Sequence, residues 1–440
     1  MSRRIQSCLL AAAALPTALA LFVACGKGPK LSRPEDTQIE LGDVAADAPK
    51  LGAVADITYV HAAPKASSKK LGYLHAGAHV ARSEERIENE DCKAGWYKIR
   101  PRGYVCTDKS ATIDLKHPTL AAMALAPDLS KPLPYTYART VATTSLFDRK
   151  GEDGVVQAGR LAKHAGMAIV GSWTAPDESK EPQRLGLLMN GQFVRAEDLR
   201  AAEPSQFQGV ALESGVELPV GFVVKRGIRT WKLAGDSPAP DEYLEYHQKV
   251  ALTGRFRTIG EERYWAQADG SWVRHKDVTV IRERNDFPDF AKDGQRWIDV
   301  SIITGTAVLY EGKKPLYATL VSVGRDRLGD PTETASTERG TFEVVAKHLT
   351  LREKNPLERK GGGAAMYDRP WVLELSNGEL VGAAFWHDRF GIEDTDGDVQ
   401  LSPLDAAHVW TWATPALPEG WHSVRIAEEA TDKTLVVVRK

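Results

Sequence analysis

From residue 51 onward, short apolar runs alternate with turn residues, the two-residue period of half-buried strands rather than the 3.6-residue period of helices. Tyr59-Val60, Leu71 to Leu74, His79-Val80-Ala81, Trp96 to Ile99 and Tyr104 to Cys106 read as strands of one small β-barrel over 51–116. Its closing pattern recurs. Gly103-Tyr104-Val105 is echoed by Gly191-Gln192-Phe193-Val194 and by Gly270-Ser271-Trp272-Val273, each followed by an aspartate, at Asp108, Asp198 and Asp277. Leu74-His75-Ala76-Gly77 is matched with Val156-Gln157-Ala158-Gly159. Repetition in fixed order predicts three modules in series, at 51–116, 135–202 and 214–282. A proline-rich linker at 117–134 separates the first two, around a Leu-Ala-Ala-Met-Ala-Leu helix candidate, and 199–218 carries a second break.

Beyond 294 the pattern is again strand-rich. Trp297 to Ser301, Thr306 to Tyr310 and Leu316 to Val323 are strands joined by turns at Gly305 and at Glu311 to Pro315. Ser402-Pro403-Leu404-Asp405 opens a helix through Trp412, with Ser402 as N-cap, Pro403 as first helical residue and Asp405 reaching back as in a capping box. Alternation at Thr434 to Val438 predicts an edge strand in 429–440, after a domain ending near 428. The fold class is therefore mainly β, serial small barrels followed by a β-rich domain with one or two helices.

At 440 residues with 42% hydrophobic content the chain is long enough for several cores, and a net charge of −2 offers nothing to nucleic acid. Arg3 and Arg4 precede an apolar run from Leu9 to Ala24 that ends in small residues before Cys25, the layout of a secretory signal at 1–25. The run is just short for a membrane span. Phe22-Val23-Ala24-Cys25 resembles a bacterial lipobox, which implies a lipid on Cys25, a tether over 26–50 and an exported protein anchored in the cell envelope, at the periplasmic face of an outer membrane. Of the four cysteines, Cys8 leaves with the signal and Cys25 takes lipid. Cys92 and Cys106 remain in one exported module, where a disulfide is the default.

Ala62-Ala63-Pro64 with Gly95-Trp96-Tyr97-Lys98-Ile99 and Gly103-Tyr104-Val105 resembles bacterial SH3-like domains, and the two later modules read as diverged copies. Such domains often hold cell-wall peptide or glycan. Exposed Trp96, Tyr104 or Trp272 would stack on a ligand, although core or rim packing accounts for each more simply. The segment 294–428 resembles the L,D-transpeptidase family, cysteine enzymes that cross-link peptidoglycan. The likeness rests on Trp297 to Val323, Pro331-Thr332, Thr337 to Val344, Asp368-Arg369-Pro370-Trp371-Val372 and Phe385-Trp386-His387-Asp388-Arg389-Phe390-Gly391. That family reads His-Gly at Val381-Gly382, then Ser-His-Gly-Cys-hydrophobic-Asn or -Arg at Thr395-Asp396-Gly397-Asp398-Val399-Gln400.

The frame is kept and the chemistry is not. Val381 and Asp396 stand where the histidines would be, Asp398 where the nucleophilic cysteine would be, and Gln400 closes the motif. Acyl transfer needs a nucleophile, a base and oxyanion donors; a valine supplies none, and no cysteine lies beyond position 106. His387, about 20 Å along an extended strand from Val381, is too far to replace the base, and with Asp388 it reads as a structural pair. His408 and His422 read as lone packing or surface residues. The resemblance thus implies a non-catalytic protein that binds peptidoglycan or a peptidoglycan-modifying enzyme. Two alternatives stand beside it: altered chemistry on cell-wall peptides at Asp396 and Asp398, and calcium held by Asp394, Asp396 and Asp398, whose spacing matches a calcium loop.

Overall fold

The computed structural model describes residues 44–151, 154–175, 183–212, 216–353 and 365–440. The expected signal at 1–25, with Cys25, and most of the expected tether lie outside the described residues. Within them the chain is mainly β, in several sheets, with two α-helices, Pro118–Ala122 and Pro403–Trp412.

Alternation in the first module sends Leu51, Val60, Leu74, Val80, Ile99 and Val105 inward around one cluster. Lys50–Ala53 pairs antiparallel with His79–Ala81 and with Ala111–Thr112. The Cys92–Cys106 disulfide forms, as the compartment argument expects, and ties the two ends of a hairpin.

One tight turn recurs three times with the same hydrogen bonds. Gly77, His164 and His247 donate their backbone N–H to Ala53, Thr140 and Val223, and in return Ala53, Thr140 and Val223 donate to Ala78, Ala165 and Gln248. All three turn residues have positive φ, at 92°, 67° and 66°. Only glycine adopts that region without strain, so its use at two histidines marks a backbone held by its surroundings. The counterparts of Leu74 to Gly77 are therefore Leu161 to His164 and Leu244 to His247. Val156 to Gly159, matched to it on sequence, instead lies within the long strand Gly154–Leu161. The second closing pattern recurs too: Ile99, Leu188 and Gln267 donate their backbone N–H to the carbonyls of Gly103, Gln192 and Ser271, across turns in which Gly103, Gly191 and Gly270 have φ of 88°, 82° and 88°. Thr136 to Ala201 and Val220 to Ile281 each form a seven-stranded sheet.

The segments between modules are packed rather than loose. Leu120 of the short helix is buried, with its methyls where a Cβ on Gly52 would stand, and the Trp371 indole donates to the Pro132 carbonyl at 2.7 Å. In the second break Phe207 is buried and Val210–Ala211 adds to the edge of Lys314–Leu320. The first module is also sewn to the C-terminal region: Gly72 and Tyr73 pair with Val424 and Ser423. A Cβ on Gly72 would sit 2.1 Å from the Ser423 carbonyl oxygen, so glycine is what lets the two strands meet.

The C-terminal region is built on the long strand Gly340–Arg352, flanked by Asp368–Leu375 and Ser423–Arg425. Leu435–Arg439 corrects the expected edge strand. It lies inside the sheet, parallel to Arg296–Ser301 and antiparallel to the start of Gly340–Arg352. Its unbroken run Leu435-Val436-Val437-Val438, buried from Val436 to Val438, is the signature of a strand covered on both faces. Ser402 caps the helix by accepting from Asp405 N at 3.1 Å. The Asp405 carboxylate does not complete a capping box; it is buried and takes Tyr317 Oη at 2.6 Å, Thr319 Oγ1 and Gly209 N at 2.9 Å.

Candidate functional site

Leu380–Ala383 runs parallel to Val399–Leu401, in the register Val381 with Val399, Gly382 with Gln400 and Ala383 with Leu401. A parallel pair needs a crossover, and residues 384 to 398 make it. This brings Val381, Asp398 and Gln400 into one corner, whereas Asp396 turns away to Arg325. Val381 is buried and inert there.

Asp398 is held from both sides. Its Oδ2 meets Arg369 Nη1 at 2.6 Å, and its Oδ1 accepts from Leu380 N at 3.1 Å. Arg369, with no exposed surface, also reaches Glu353 at 3.3 Å. Burial opposes the guanidinium charge, yet the two carboxylates raise the Arg369 pKa above its ordinary value. Asp398 is therefore a carboxylate bound into an ion-pair network around a buried arginine.

Gln400 is buried, and its Oε1 lies 2.9 Å from His387 Nε2. His387 Nδ1 accepts from Arg389 N at 3.1 Å, so the Nε2 nitrogen carries the proton and donates to Gln400. Burial lowers the His387 pKa and keeps the ring neutral. The extended-strand estimate for His387 is thus corrected: the strand ends at Ala383 and the chain folds back, returning the ring to the corner. Both its nitrogens are engaged, which leaves no lone pair for a substrate proton. The expected His387–Asp388 pair is not made; Asp388 pairs with Arg226 at 3.2 Å.

The three aspartates of the expected calcium loop each face a different cation. Asp394 binds Arg389 at 2.6 Å, Asp396 binds Arg325 and Asp398 binds Arg369 at 2.6 Å, each carboxylate drawn to a different guanidinium. Glu393 adds a fourth such pair, with Arg327 at 2.6 Å. Among the described residues no group of three or more His, Cys, Asp or Glu side chains is placed to hold a metal ion.

Sequence reasoning missed Glu379. Burial, and after it the nearby Asp398 charge, raise its pKa to about 7, while Glu338 N donates to its Oε1 at 2.9 Å. It missed Arg369 also, although an arginine between aspartate and the apolar run Trp371-Val372-Leu373 is a recognisable sign of a buried ion pair. His422 is not alone: Tyr135 Oη lies 2.9 Å from its Nε2, and its ring meets His75 at 5.0 Å. Beside it Tyr73 Oη contacts His348 Nδ1 at 3.0 Å, and His348 Nε2 contacts Glu374 at 3.1 Å. His408 packs on Tyr317, ring centres 4.2 Å apart. The indole of Trp96 is buried against Asn89 and His61, which makes it a packing residue.

No family model matches this chain, and no curated protein matches it. Solved structures similar to it include an L,D-transpeptidase from Xylanimonas cellulosilytica, 14% identical, at a TM-score of 0.25, over 36% of this chain and 65% of that one. An L,D-transpeptidase from Mycobacterium smegmatis is 16% identical over 55% of this chain and 89% of that one, with a TM-score of 0.25. L,D-transpeptidase 3 from Mycobacterium tuberculosis is 16% identical over 43% and 79%, with a TM-score of 0.24. The chain thus spans just under two thirds of the first of these structures, and at such TM-scores the likeness carries no argument about chemistry.

Proposed function

We propose that this chain is an envelope lipoprotein, anchored through Cys25, whose C-terminal domain keeps the frame of an L,D-transpeptidase without its reaction. It acts by holding peptidoglycan or a peptidoglycan-modifying enzyme. The observation that carries this reading is the state of Asp398. A carboxylate paired with a fully buried arginine and a backbone N–H is stabilised as an anion and has no tendency to attack an amide. The neutral His387 cannot assist, because Gln400 and Arg389 occupy its two nitrogens. Two further points support a binding role: the modules are joined to the C-terminal region through paired strands and buried aromatics, and wide clefts lie where they meet.

Sedimentation of the purified protein with intact sacculi tests it. Co-sedimentation, saturable and competed by soluble muropeptides, is expected; a protein that stays in the supernatant and captures no cell-wall enzyme contradicts the reading.

Glu379 favours a second reading. A carboxyl group that titrates near neutrality beside an ionised partner is how acid–base hydrolases divide their two roles. Muropeptide turnover that disappears in both Glu379→Gln and Asp398→Ala would establish hydrolysis in place of binding.

A further inference from the structure

Two open clefts, of about 1040 Å³ and about 880 Å³, share Ser205, Gln206 and Asp388 as a common wall. Together they make one trough along the segment 203–209. The first cleft has the turn residue His164 of the second module on its rim, and the second cleft has the corresponding His247 of the third. The loop Phe385 to Asp388 forms much of the floor of the first.

Arg139 decides what the trough would take. It follows Tyr137 by two residues on the strand Thr136–Thr140 and so shares its face, and both meet the same loop, Tyr137 through Phe385 and Arg139 through Trp386. Its guanidinium is half-buried, and its hydrogen bonds go to two neutral acceptors, the carbonyls of His164 and Trp386, each at 3.3 Å. Among the described residues no carboxylate pairs with it. Burial depresses its pKa, the direction expected of a cation that has lost water without gaining an anion. A buried guanidinium elsewhere in this chain, Arg369, shows the contrast, with two carboxylates on it.

The rest of the lining selects among anions. Arg200 adds a second, exposed positive charge, whereas Glu203 and Asp388 stand on the same rim, and Asp388 is engaged by Arg226. A dianionic phosphate would face two carboxylates. A monoanionic carboxylate carried by a peptide that also bears an amine meets both signs. In the second cleft Tyr243 is 68% exposed, with Arg229 over its ring at 3.8 Å, and Tyr246 stacks on His247 at 3.8 Å between ring centres with Arg226 4.5 Å from its ring centre, so the two aromatics line the path of an extended ligand with Tyr243 the more open.

We propose that this trough binds a short cell-wall peptide by its free carboxylate, with Arg139 as the anchoring cation and Tyr243 and Tyr246 flanking the rest of the chain. The proposal rests on the peptidoglycan-binding reading and gives it a location away from the Asp398 corner.

Calorimetric titration of the full mature protein with a disaccharide-tetrapeptide released from sacculi, and with the same compound amidated at its carboxyl groups, tests it. Wild type is expected to bind the free acid about tenfold or more tightly than the amide, the scale of one charge-assisted hydrogen bond. Arg139→Gln is expected to bind both at the weaker level, with Arg139→Lys recovering part of the difference. Equal binding of acid and amide by wild type, or full discrimination by Arg139→Gln, overturns the site even where sacculi still bind, so the broader reading survives. Failure of wild type to bind either sacculi or the probe removes both. The amidation comparison needs no variant and holds whether or not Arg139→Gln folds.

Discussion

Asp398, at the end of the crossover, and Arg139, hydrogen-bonded to Trp386 within it, are two charged side chains whose surroundings differ in kind. Asp398 sits in a corner where Arg369 and the backbone N–H of Leu380 satisfy it within the fold, the same arginine also balancing Glu353. Arg139 stands at a cleft with only carbonyl partners. A charge neutralised inside the protein contributes to structure and has little left for chemistry, while a half-desolvated charge with no counter-ion leaves part of its interaction for a ligand. By that reasoning the Asp398 corner is structural, and the seam between modules is where the proposed binding site lies.

The comparison breaks most severely at Arg369. Arg369→Met removes a fully buried cation and leaves Asp398 and Glu353, each with 13% of its side chain exposed, unpaired, and is expected to cost about 3–5 kcal/mol in denaturant unfolding. A loss below about 1 kcal/mol, the range of exposed pairs, would mean that the corner is wetter than its burial implies.

Titration distinguishes the two regions next. Burial lowers the pKa of His348, His387, His408 and His422, to about 4 for His408, from an ordinary 6.5. Below 6.5 the unfolded chain takes up protons that the folded chain refuses, so the stability present above that value is lost as pH falls toward about 4. Glu379 runs the other way. Its folded value of about 7 exceeds the ordinary 4.5, so it stabilises fully below 4.5 and loses that contribution as pH rises through 7. Melting temperatures should therefore fall on the acid side, and Glu379→Gln should raise the melting temperature above pH 7 relative to wild type while changing little near pH 4.5. An identical pH profile for Glu379→Gln would show that the carboxyl is not held protonated.

Asp398→Asn comes third, since the amide keeps a hydrogen bond to Arg369 and leaves Glu353 to balance it; about 1–2 kcal/mol of destabilisation is expected. Arg139→Gln should be smallest, within about 0.5 kcal/mol of wild type, because the side chain carries no ion pair to break. A large loss there would assign Arg139 to architecture and dismiss the contrast with Asp398.

Much of this organisation is written locally. The two-residue alternation from 51, the Ser402-Pro403 helix start and the Cys92–Cys106 pairing depend on neighbours in sequence or on compartment, and each is present in the fold. The parallel pairing of Leu380–Ala383 with Val399–Leu401 brings Val381, Asp398 and Gln400 of that frame into one corner, and Asp396 leaves it for Arg325. What the sequence could not show depends on distant partners. Nothing near Asp398 names Arg369, and nothing near Asp394 or Asp396 names Arg389 or Arg325 as the cations that separate those acids. His387 was misplaced because its distance was measured along a strand that stops at Ala383. No glycine marks the turn at His164, where a histidine takes positive φ. Leu435 to Val438 was taken for an edge, although four apolar residues in a row belong to a strand with neighbours on both sides.

The central claim is that the Asp398 corner cannot form an acyl bond, and intact-mass spectrometry of the mature protein after prolonged incubation with a carbapenem tests it most directly. An unchanged mass is the expected result; a gain equal to one acylated carbapenem, lost when Asp398 is replaced by alanine, would contradict it.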